Sequence, residues 1–195
     1  MRIDYQSNTR PLQKLQLGLI GKLMGAVPGP LVVLTYNRDI FGKHFSKCLT
    51  EGMRGTKYWS KPQVELFAAF VSKANGCNYC LEQHTNVTVL GIDDHVVNAV
   101  LEDYHTAPIS DELRSMLSFL DKLTRTPDQV TAEDIVPLKA AGIPEVGIAE
   151  AIYVCFLFST INRIADALDF KNYTKGNRSA RFLYHIGYGG SSMRG

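Results

Sequence analysis

The sequence lacks the features of composition that distinguish disulfide-rich, nucleic-acid-binding and membrane proteins from ordinary globular ones. Only four of its 195 residues are cysteines, which excludes the disulfide framework of a small secreted domain. The net charge is only +2 and no basic run stands out, so a nucleic-acid partner is not indicated. The N-terminus lacks the apolar core of a signal peptide, and the most apolar stretch, 151–161, is about half as long as a membrane span. We therefore expect a cytoplasmic protein without a membrane partner.

What the sequence does contain is helical periodicity along nearly its whole length. Apolar residues recur at three- and four-residue steps, and no run alternates as a β-strand would. Hydrophobic residues make up 45% and charged residues 21% of the chain, which suits one packed core. The pattern predicts an all-α fold, a single-domain helical bundle. The domain would span 1–195, with N-terminal helices within 13–49 (13–27 and 31–49), a redox core at about 60–168 and a C-terminal tail at 169–195.

Two of the predicted helices have well-marked ends. Ser60 can cap a helix with Gln63 as its capping-box partner, and Asn75-Gly76 supplies a left-handed stop. After Pro144 a long helix runs to about Leu168 and is apolar over much of its circumference. Such a helix must be covered on most sides by its own chain or by a subunit, so we expect a homo-oligomer.

The chemistry of the sequence is concentrated between Glu65 and His84, in the pattern Glu-x11-Cys-x2-Cys-x3-His. Cys77 and Cys80 lie at the start of a predicted helix, where residues three apart share a face and their sulfurs can pair. The partial positive charge of a helix N-terminus favours the thiolate. His84 lies one turn beyond Cys80, and the turn at Asn75-Gly76 can bring Glu65 against it. The carboxylate would then orient the imidazole and raise its basicity.

These positions predict a dithiol centre that reduces peroxides. His84 accepts the proton of Cys80, whose thiolate attacks the peroxide and becomes a sulfenic acid. Cys77 condenses with it to a disulfide, and an external dithiol electron donor restores the pair, so that no cofactor or metal is required. We assign the attack to Cys80 because it faces His84. Cys77, nearer the helix mouth, is expected to meet a bulky reductant.

The spacing Glu65-x11-Cys77-x2-Cys80-x3-His84 resembles the signature of the alkylhydroperoxidase D-like family, within the carboxymuconolactone decarboxylase superfamily. The sequence of residues 74–80 is similar to that of the peroxidase-related members, and residues 162–168 resemble the end of the family's long C-terminal helix. The resemblance implies an all-helical fold, assembly into dimers, trimers or hexamers, and an antioxidant, thiol-dependent peroxidase activity on small hydroperoxides. It also implies that the carboxylate, both cysteines and the histidine form a proton relay.

The sequence departs from the family prototype at two positions. Tyr79 stands where the prototype has a second histidine, just before the second cysteine. Val64 precedes Glu65 where many relatives have arginine. The first change leaves a phenol in place of an imidazole that helps the relay, so the rate and the peroxide preference do not carry over from the prototype.

Other interpretations of the same residues stay open. Two cysteines, a histidine and a glutamate could hold zinc, although zinc modules usually bring their ligand pairs from separate knuckles. The cysteine pair could serve a non-catalytic redox sensor or assembly protein, which would oxidise once and stop. Superfamily members without the pair carry out lactone or decarboxylase chemistry, which would survive loss of both cysteines.

The remaining polar and sulfur-bearing residues on apolar helices are assigned structural roles. Cys48 and Cys155 lie in apolar helical patterns and are expected to be small buried hydrophobes. Asn162 and Arg163 lie on the long apolar helix, where an unpaired polar group is costly. We expect them to make buried caps or subunit contacts rather than to bind substrate. Tyr79 is expected to pack at the pocket wall.

Overall fold

A computed structural model describes residues 2, 4, 9–24, 27–36, 42–171 and 178–188. The described residues form helices and connecting turns without a β-strand, which confirms the predicted all-α class. In chain order the α-helices of these segments are α1 (Pro11–Met24), α2 (Gly29–Tyr36), α3 (Lys43–Arg54), α4 (Lys61–Ala74), α5 (Asn78–Thr88), α6 (Asp94–Asp103), α7 (Asp111–Arg125), α8 (Val136–Ala140), α9 (Glu145–Leu168) and α10 (Arg178–Ile186). Short 3-10 turns at 127–129 and 132–135 connect α7 to α8.

An antiparallel hairpin of α4 and α5 forms the centre of the domain. The predicted capping box is present, since the Ser60 backbone N–H donates to Gln63 Oε1 at 3.0 Å. Every residue of α4 from 64 to 72 is buried. The helix ends at Asn75, and Gly76 adopts a φ of +76°. Because this conformation is strained for any residue with a Cβ, the glycine permits the reversal into α5.

The long helix α9 packs against α4, α5 and α7 and closes the core. It begins after Pro144 and ends at Leu168, as predicted. By length and composition it could cross a membrane, but 56% of its most apolar window is buried within the domain, which is typical of a core helix. Its outward side chains Tyr153 and Phe156 are each 60% exposed.

The N-terminal region differs from the prediction in where its helices end. The first helix covers 11–24 rather than 13–27. The single helix expected at 31–49 is two helices, α2 and α3, and residues 37–41 between them lie outside the described part. Cys48 is exposed on α3, so its expected burial is wrong, whereas Cys155 is buried as predicted. Cys48 was misplaced because α3 is strongly amphipathic and this cysteine shares its polar face.

The tail at 169–195 contains a helix that the sequence did not predict. Helix α10 has only nine residues, too few for stability on its own, and it forms because it packs on α5 and α1. Residues 172–177 and 189–195 lie outside the described part. Helices α1, α2 and α10 together lie over the outer side of α5, and we call them the cover.

Candidate active site

The α4–α5 hairpin places Glu65 directly against His84, as its turn predicted. Glu65 Oε2 lies 2.7 Å from His84 Nδ1, and the two residues are 0% and 7% exposed. Because a carboxylate only accepts hydrogen bonds, Nδ1 carries the hydrogen and donates it. In the neutral imidazole this leaves Nε2 as the basic nitrogen.

Two residues that the sequence analysis missed complete the partners of this carboxylate. Arg54 Nη2 on α3 lies 2.6 Å from Glu65 Oε1. The Tyr188 hydroxyl, just after α10, donates to both carboxylate oxygens at 3.0 Å, and the Arg54 guanidinium lies over its ring. No motif marked either residue, since each is brought in by a separate element. The guanidinium reaches Glu65 from α3, although the position before Glu65 in the chain is Val64.

Electrostatics keep Glu65 ionised and Tyr188 protonated. Burial acts to raise the pKa of Glu65, but hydrogen bonds and charge from His84 and Arg54 outweigh it and hold the pKa below 4.5. Burial and the neighbouring Glu65 charge raise the pKa of Tyr188 well above 10.0. The carboxylate therefore acts as a permanent acceptor that orients His84, and the phenol stays a donor.

Cys77 and Cys80 are free thiols held in contact at the start of α5. Cys77 is the N-cap residue and Cys80 lies in the first turn. Both are buried and are not joined by a disulfide. The neighbouring Cys80 thiol lowers the pKa of Cys77, against the effect of burial, and the interaction with Cys77 together with burial raises the pKa of Cys80. The ionisation of each sulfur thus depends on that of the other.

Only one of the two sulfurs faces open space. Cys80 lines a cavity of about 130 Å³ beneath the cover, and Cys77 does not. Cys77 is 0% exposed, so the expectation that it meets a bulky reductant at the helix mouth is wrong for this chain. Its backbone N–H donates to the Ser72 carbonyl at 2.9 Å, which holds Cys77 against the end of α4.

The cavity is apolar except at the end where the chemistry lies. Aliphatic and aromatic side chains from the cover and α9 form most of its wall, and Tyr79 forms part of that wall as predicted. Its polar lining comes from Cys80, Gln83, His84 and Tyr188. Within the described residues no direct hydrogen bond joins His84 to Cys80; instead both border the same space. A small, largely apolar molecule would contact the sulfur and the imidazole together.

Asn162 and Arg163 have different surroundings although they are neighbours on α9. Asn162 is 1% exposed, and it hydrogen-bonds to Ser72 of α4 and to Asn75 just after that helix. Arg163 is exposed, so it is not a buried cap, and the other expected role, a subunit contact, stays a prediction. Among the described residues, no group of three or more His, Cys, Asp and Glu side chains is arranged to hold a metal ion.

The fold and the site define an all-helical domain with a buried dithiol beside a glutamate–histidine pair, and solved structures share its fold. A peroxidase-related protein from Silicibacter sp. TM1040 superposes with a TM-score of 0.77 at 24% identity, over 89% of this chain and 91% of that one. A peroxidase-related protein from Ralstonia eutropha JMP134, described as an alkylhydroperoxidase AhpD core, gives 0.72 at 19% identity, over 89% and 91%. The debrominase Bmp8 gives 0.69 at 18% identity, over 89% and 90%.

No protein-family model and no curated protein matches the chain by sequence. The all-helical fold implied by the resemblance of the cysteine signature is nevertheless confirmed by the fold comparison. The chain has the all-helical fold of the AhpD-like, peroxidase-related proteins.

Proposed function

We propose that the protein is a thiol-dependent peroxidase that reduces small organic hydroperoxides. The observation that carries the proposal is the position of Cys80, which lines the apolar cavity together with His84 while Cys77 contacts it from behind. A thiolate is needed to attack a peroxide, and a second thiol within reach is needed to resolve the product. The position of Cys77 supports the second requirement. The first requires a base that takes the Cys80 proton, because Cys77 and burial raise the pKa of Cys80.

The first step is attack of the Cys80 sulfur on the outer oxygen of the hydroperoxide. The Cys80 proton passes to Cys77 or to His84 Nε2, the O–O bond breaks, and the alkoxide takes up a proton to leave as an alcohol. Glu65 holds the imidazole through Nδ1 at 2.7 Å, so that Nε2 is the nitrogen available for this transfer. Cys80 is then a sulfenic acid.

The second step forms the disulfide and requires little motion. Cys77 attacks the Cys80 sulfur and water leaves, so that one hydroperoxide and two thiols yield alcohol, water and one disulfide. An external dithiol then reduces the disulfide by exchange. Because Cys77 is enclosed, we expect that dithiol to enter by the cavity and to attack Cys80.

The test is consumption of cumene hydroperoxide by metal-free protein with dithiothreitol as the reductant. We expect turnover that Cys80→Ser abolishes. Cys77→Ser should still form one sulfenic acid per chain, detected by dimedone labelling, without turnover. Full turnover of Cys80→Ser would contradict the assignment of the attacking sulfur.

The other two cysteines provide matched controls. Cys48 is exposed and Cys155 is buried outside the cavity, so Cys48→Ser and Cys155→Ser should retain turnover. A wild-type protein that oxidises once and cannot be recycled by any dithiol would instead indicate a redox sensor. Turnover that survives Cys77→Ser and Cys80→Ser together would indicate chemistry that does not use the thiols.

Reductive dehalogenation is the second candidate, favoured by the apolar lining around a single sulfur. In this reaction Cys80 would take a halogen from an aromatic ring, the carbon would gain a proton, and Cys77 would displace halide to form the disulfide. One of the structures that share the fold is a debrominase. Halide release from a brominated pyrrole, measured with the same variants, separates this reaction from peroxide reduction.

The proposal includes a cytoplasmic location and a homo-oligomeric assembly. A reducing cytoplasm would keep the two thiols free, and a homo-oligomer would cover the exposed aromatic side chains of α9, Tyr153 and Phe156. Light scattering of the wild type and of Phe156→Asp tests the assembly. A monomeric wild type would contradict it.

A further inference from the structure

The polar lining of the cavity includes one side chain that the mechanism above does not use. Gln83 borders the cavity together with Cys80, His84 and Tyr188. His84 Nδ1 and the Tyr188 hydroxyl are both engaged by Glu65, at 2.7 and 3.0 Å. Among the described residues, by contrast, no hydrogen bond or ion pair engages the Gln83 amide. This amide is therefore free to bind a ligand in the cavity.

The Gln83 amide is also open to a molecule of small size. Its residue is half-buried, and neither amide atom is one of the described side-chain atoms that are buried without a partner. An unpaired polar group beside an apolar wall costs free energy, which a ligand with a polar end of its own would recover. Pockets use a few such groups to orient ligands that are otherwise apolar.

Helical geometry places Gln83 and His84 on either side of Cys80. At about 3.6 residues per turn, Gln83 lies about 60° from Cys80 around the axis of α5 in one direction and His84 about 40° in the other. Both lie one turn beyond the cysteine, and helical side chains lean toward the N-terminus of their helix. The amide and the imidazole therefore lean toward the turn that carries the sulfur.

The amide offers a hydrogen where the neutral imidazole offers none. Because His84 Nδ1 donates to Glu65, Nε2 carries a lone pair and can only accept. The Gln83 amide nitrogen has two N–H donors, which do not titrate. When the O–O bond of a hydroperoxide breaks, negative charge develops on the inner oxygen, which leaves with the alkyl group. A donor at that oxygen stabilises the transition state more than the bound substrate.

We propose that Gln83 is a substrate-binding residue whose amide N–H donates to the inner oxygen of the hydroperoxide. The inference deepens the proposed function and rests on it. The Cys80 thiolate bonds to the outer oxygen and is oxidised to the sulfenic acid, and the electrons of the broken O–O bond stay on the inner oxygen. That oxygen takes the proton that His84 Nε2 received from Cys80 and leaves as the alcohol. Gln83 keeps its hydrogens and holds the oxygen end of the substrate at the sulfur.

The first experiment measures sulfenic acid formation from cumene hydroperoxide in the Cys77→Ser background. Gln83→Met keeps the length of the side chain but cannot donate, and should lower the rate constant about tenfold, the scale of one hydrogen bond to a developing charge. Its pH profile should keep the shape of the background protein, since the amide does not titrate. Asn86→Leu removes an amide of α5 outside the cavity lining, and this matched control should react as the background protein does.

Leaving groups of different acidity give a result that a merely structural role would not produce. Ring-substituted cumene hydroperoxides have nearly the same shape and release alcohols of graded acidity. Without the donor, the rate constant should depend more steeply on that acidity, so Gln83→Met should lose most with the least acidic alcohol. A dependence as steep as that of the unsubstituted background would overturn the inference, even if Gln83→Met reacts more slowly.

Binding of the product alcohol tests Gln83 without any reaction. In calorimetry, cumyl alcohol should bind Gln83→Met about fivefold more weakly than wild type, because one hydrogen bond is lost. Cumene, which has the same apolar group but no hydroxyl, should bind both proteins alike. Equal weakening for the two ligands would indicate a changed cavity shape and would overturn the inference, as would no weakening for cumyl alcohol.

The two proposals can fail separately, since the binding measurement involves no peroxide. A preference for cumyl alcohol that depends on Gln83, in a protein without peroxide turnover, would reject the proposed function and leave the binding role of Gln83. Peroxide turnover with equal rate constants and equal affinities in Gln83→Met and wild type would reject the role of Gln83 only.

Discussion

Among the residues that the structure describes, two glutamates are buried, and they are held in opposite ways. Glu65 on α4 is 0% exposed and Glu150 on α9 is 9% exposed. Glu150 accepts from three successive backbone N–H groups of residues 57–59, at 2.6, 3.2 and 3.3 Å. The described hydrogen-bond partners of Glu65 are all side chains: His84, Arg54 and Tyr188.

The difference separates a carboxylate held by the backbone from one held by side chains, as the proposed function requires of Glu65. Backbone N–H groups do not titrate, so Glu150 only fastens the loop before α4 to the long helix. Glu65 instead orients a group that exchanges protons, with a guanidinium that offsets its charge. Burial alone does not reveal which carboxylate belongs to an active site; the nature of its donors does.

Replacing Glu65 has the largest expected effect. Glu65→Gln should lower peroxide turnover roughly 100-fold per folded molecule, because His84 loses its charged acceptor. It also leaves Arg54 without a counter-charge, so the variant should lose about 3–5 kcal/mol of stability. Steady-state kinetics together with urea unfolding separate the two effects. Removing both charges in Arg54→Gln/Glu65→Gln should recover stability without recovering turnover, and unchanged kinetics in Glu65→Gln would show that this carboxylate is only structural.

Replacing Glu150 should give the reverse pattern. Glu150→Gln keeps one acceptor oxygen but sets an NH₂ group against backbone donors, which should cost about 1–3 kcal/mol. Turnover of the folded fraction should stay within about twofold of wild type, since the carboxylate lies outside the cavity. Urea denaturation measures the first effect. A large loss of turnover in a fully folded Glu150→Gln protein would contradict the purely structural role of Glu150.

Tyr188 tests whether the tail contributes to the site or only covers it. Tyr188→Phe keeps the ring that stacks on His84 and removes the hydroxyl that donates to Glu65. We expect turnover to fall roughly fivefold to tenfold, about 1 kcal/mol in the barrier. Tyr184→Phe, on α10 just before Tyr188 but outside the cavity lining, is the control and should behave as wild type. Equal turnover of the two variants would show that the Tyr188 hydroxyl does not contribute to the site and that the tail only covers it.

The smallest expected effect is on the acid side of the stability profile. Because the pKa of Glu65 is lowered below 4.5 in the folded protein, the unfolded chain binds more protons between the two values. The stabilisation is complete above about pH 4.5 and is lost as the pH falls below it. Glu65→Gln should flatten this part of the profile, measured by thermal unfolding from pH 3 to 7, roughly the titration range of a carboxylate. If Glu65→Gln has the same pH profile of stability as wild type, the lowered pKa of Glu65 is contradicted.

Where the sequence predicted well, the interactions were local. The capping box at Ser60, the turn at Gly76 and the spacing from Cys77 to His84 each involve residues within one helix or one hairpin. Helical geometry converts such spacings directly into neighbours. Glu65 could be placed against His84 for the same reason, since one tight turn separates their helices.

Where the sequence failed, the interactions joined distant segments. Helix α9 and the cover line the cavity beside Cys80, and Tyr188 reaches Glu65 across more than a hundred residues. The short helix α10 is not stable on its own, so no local pattern predicts it. Cys48 looked apolar by its neighbours in the chain but shares the outer face of α3.

By itself, the sequence determined the all-helical class and the dithiol with its glutamate and histidine, because periodicity and fixed spacing act over a few residues. Tertiary structure alone decided which sulfur faces the cavity and which polar side chains surround the pair. Those features depend on how α9 and the cover pack against the hairpin. Packing is set by the shapes of surfaces far apart in the chain, and no local pattern encodes where they meet.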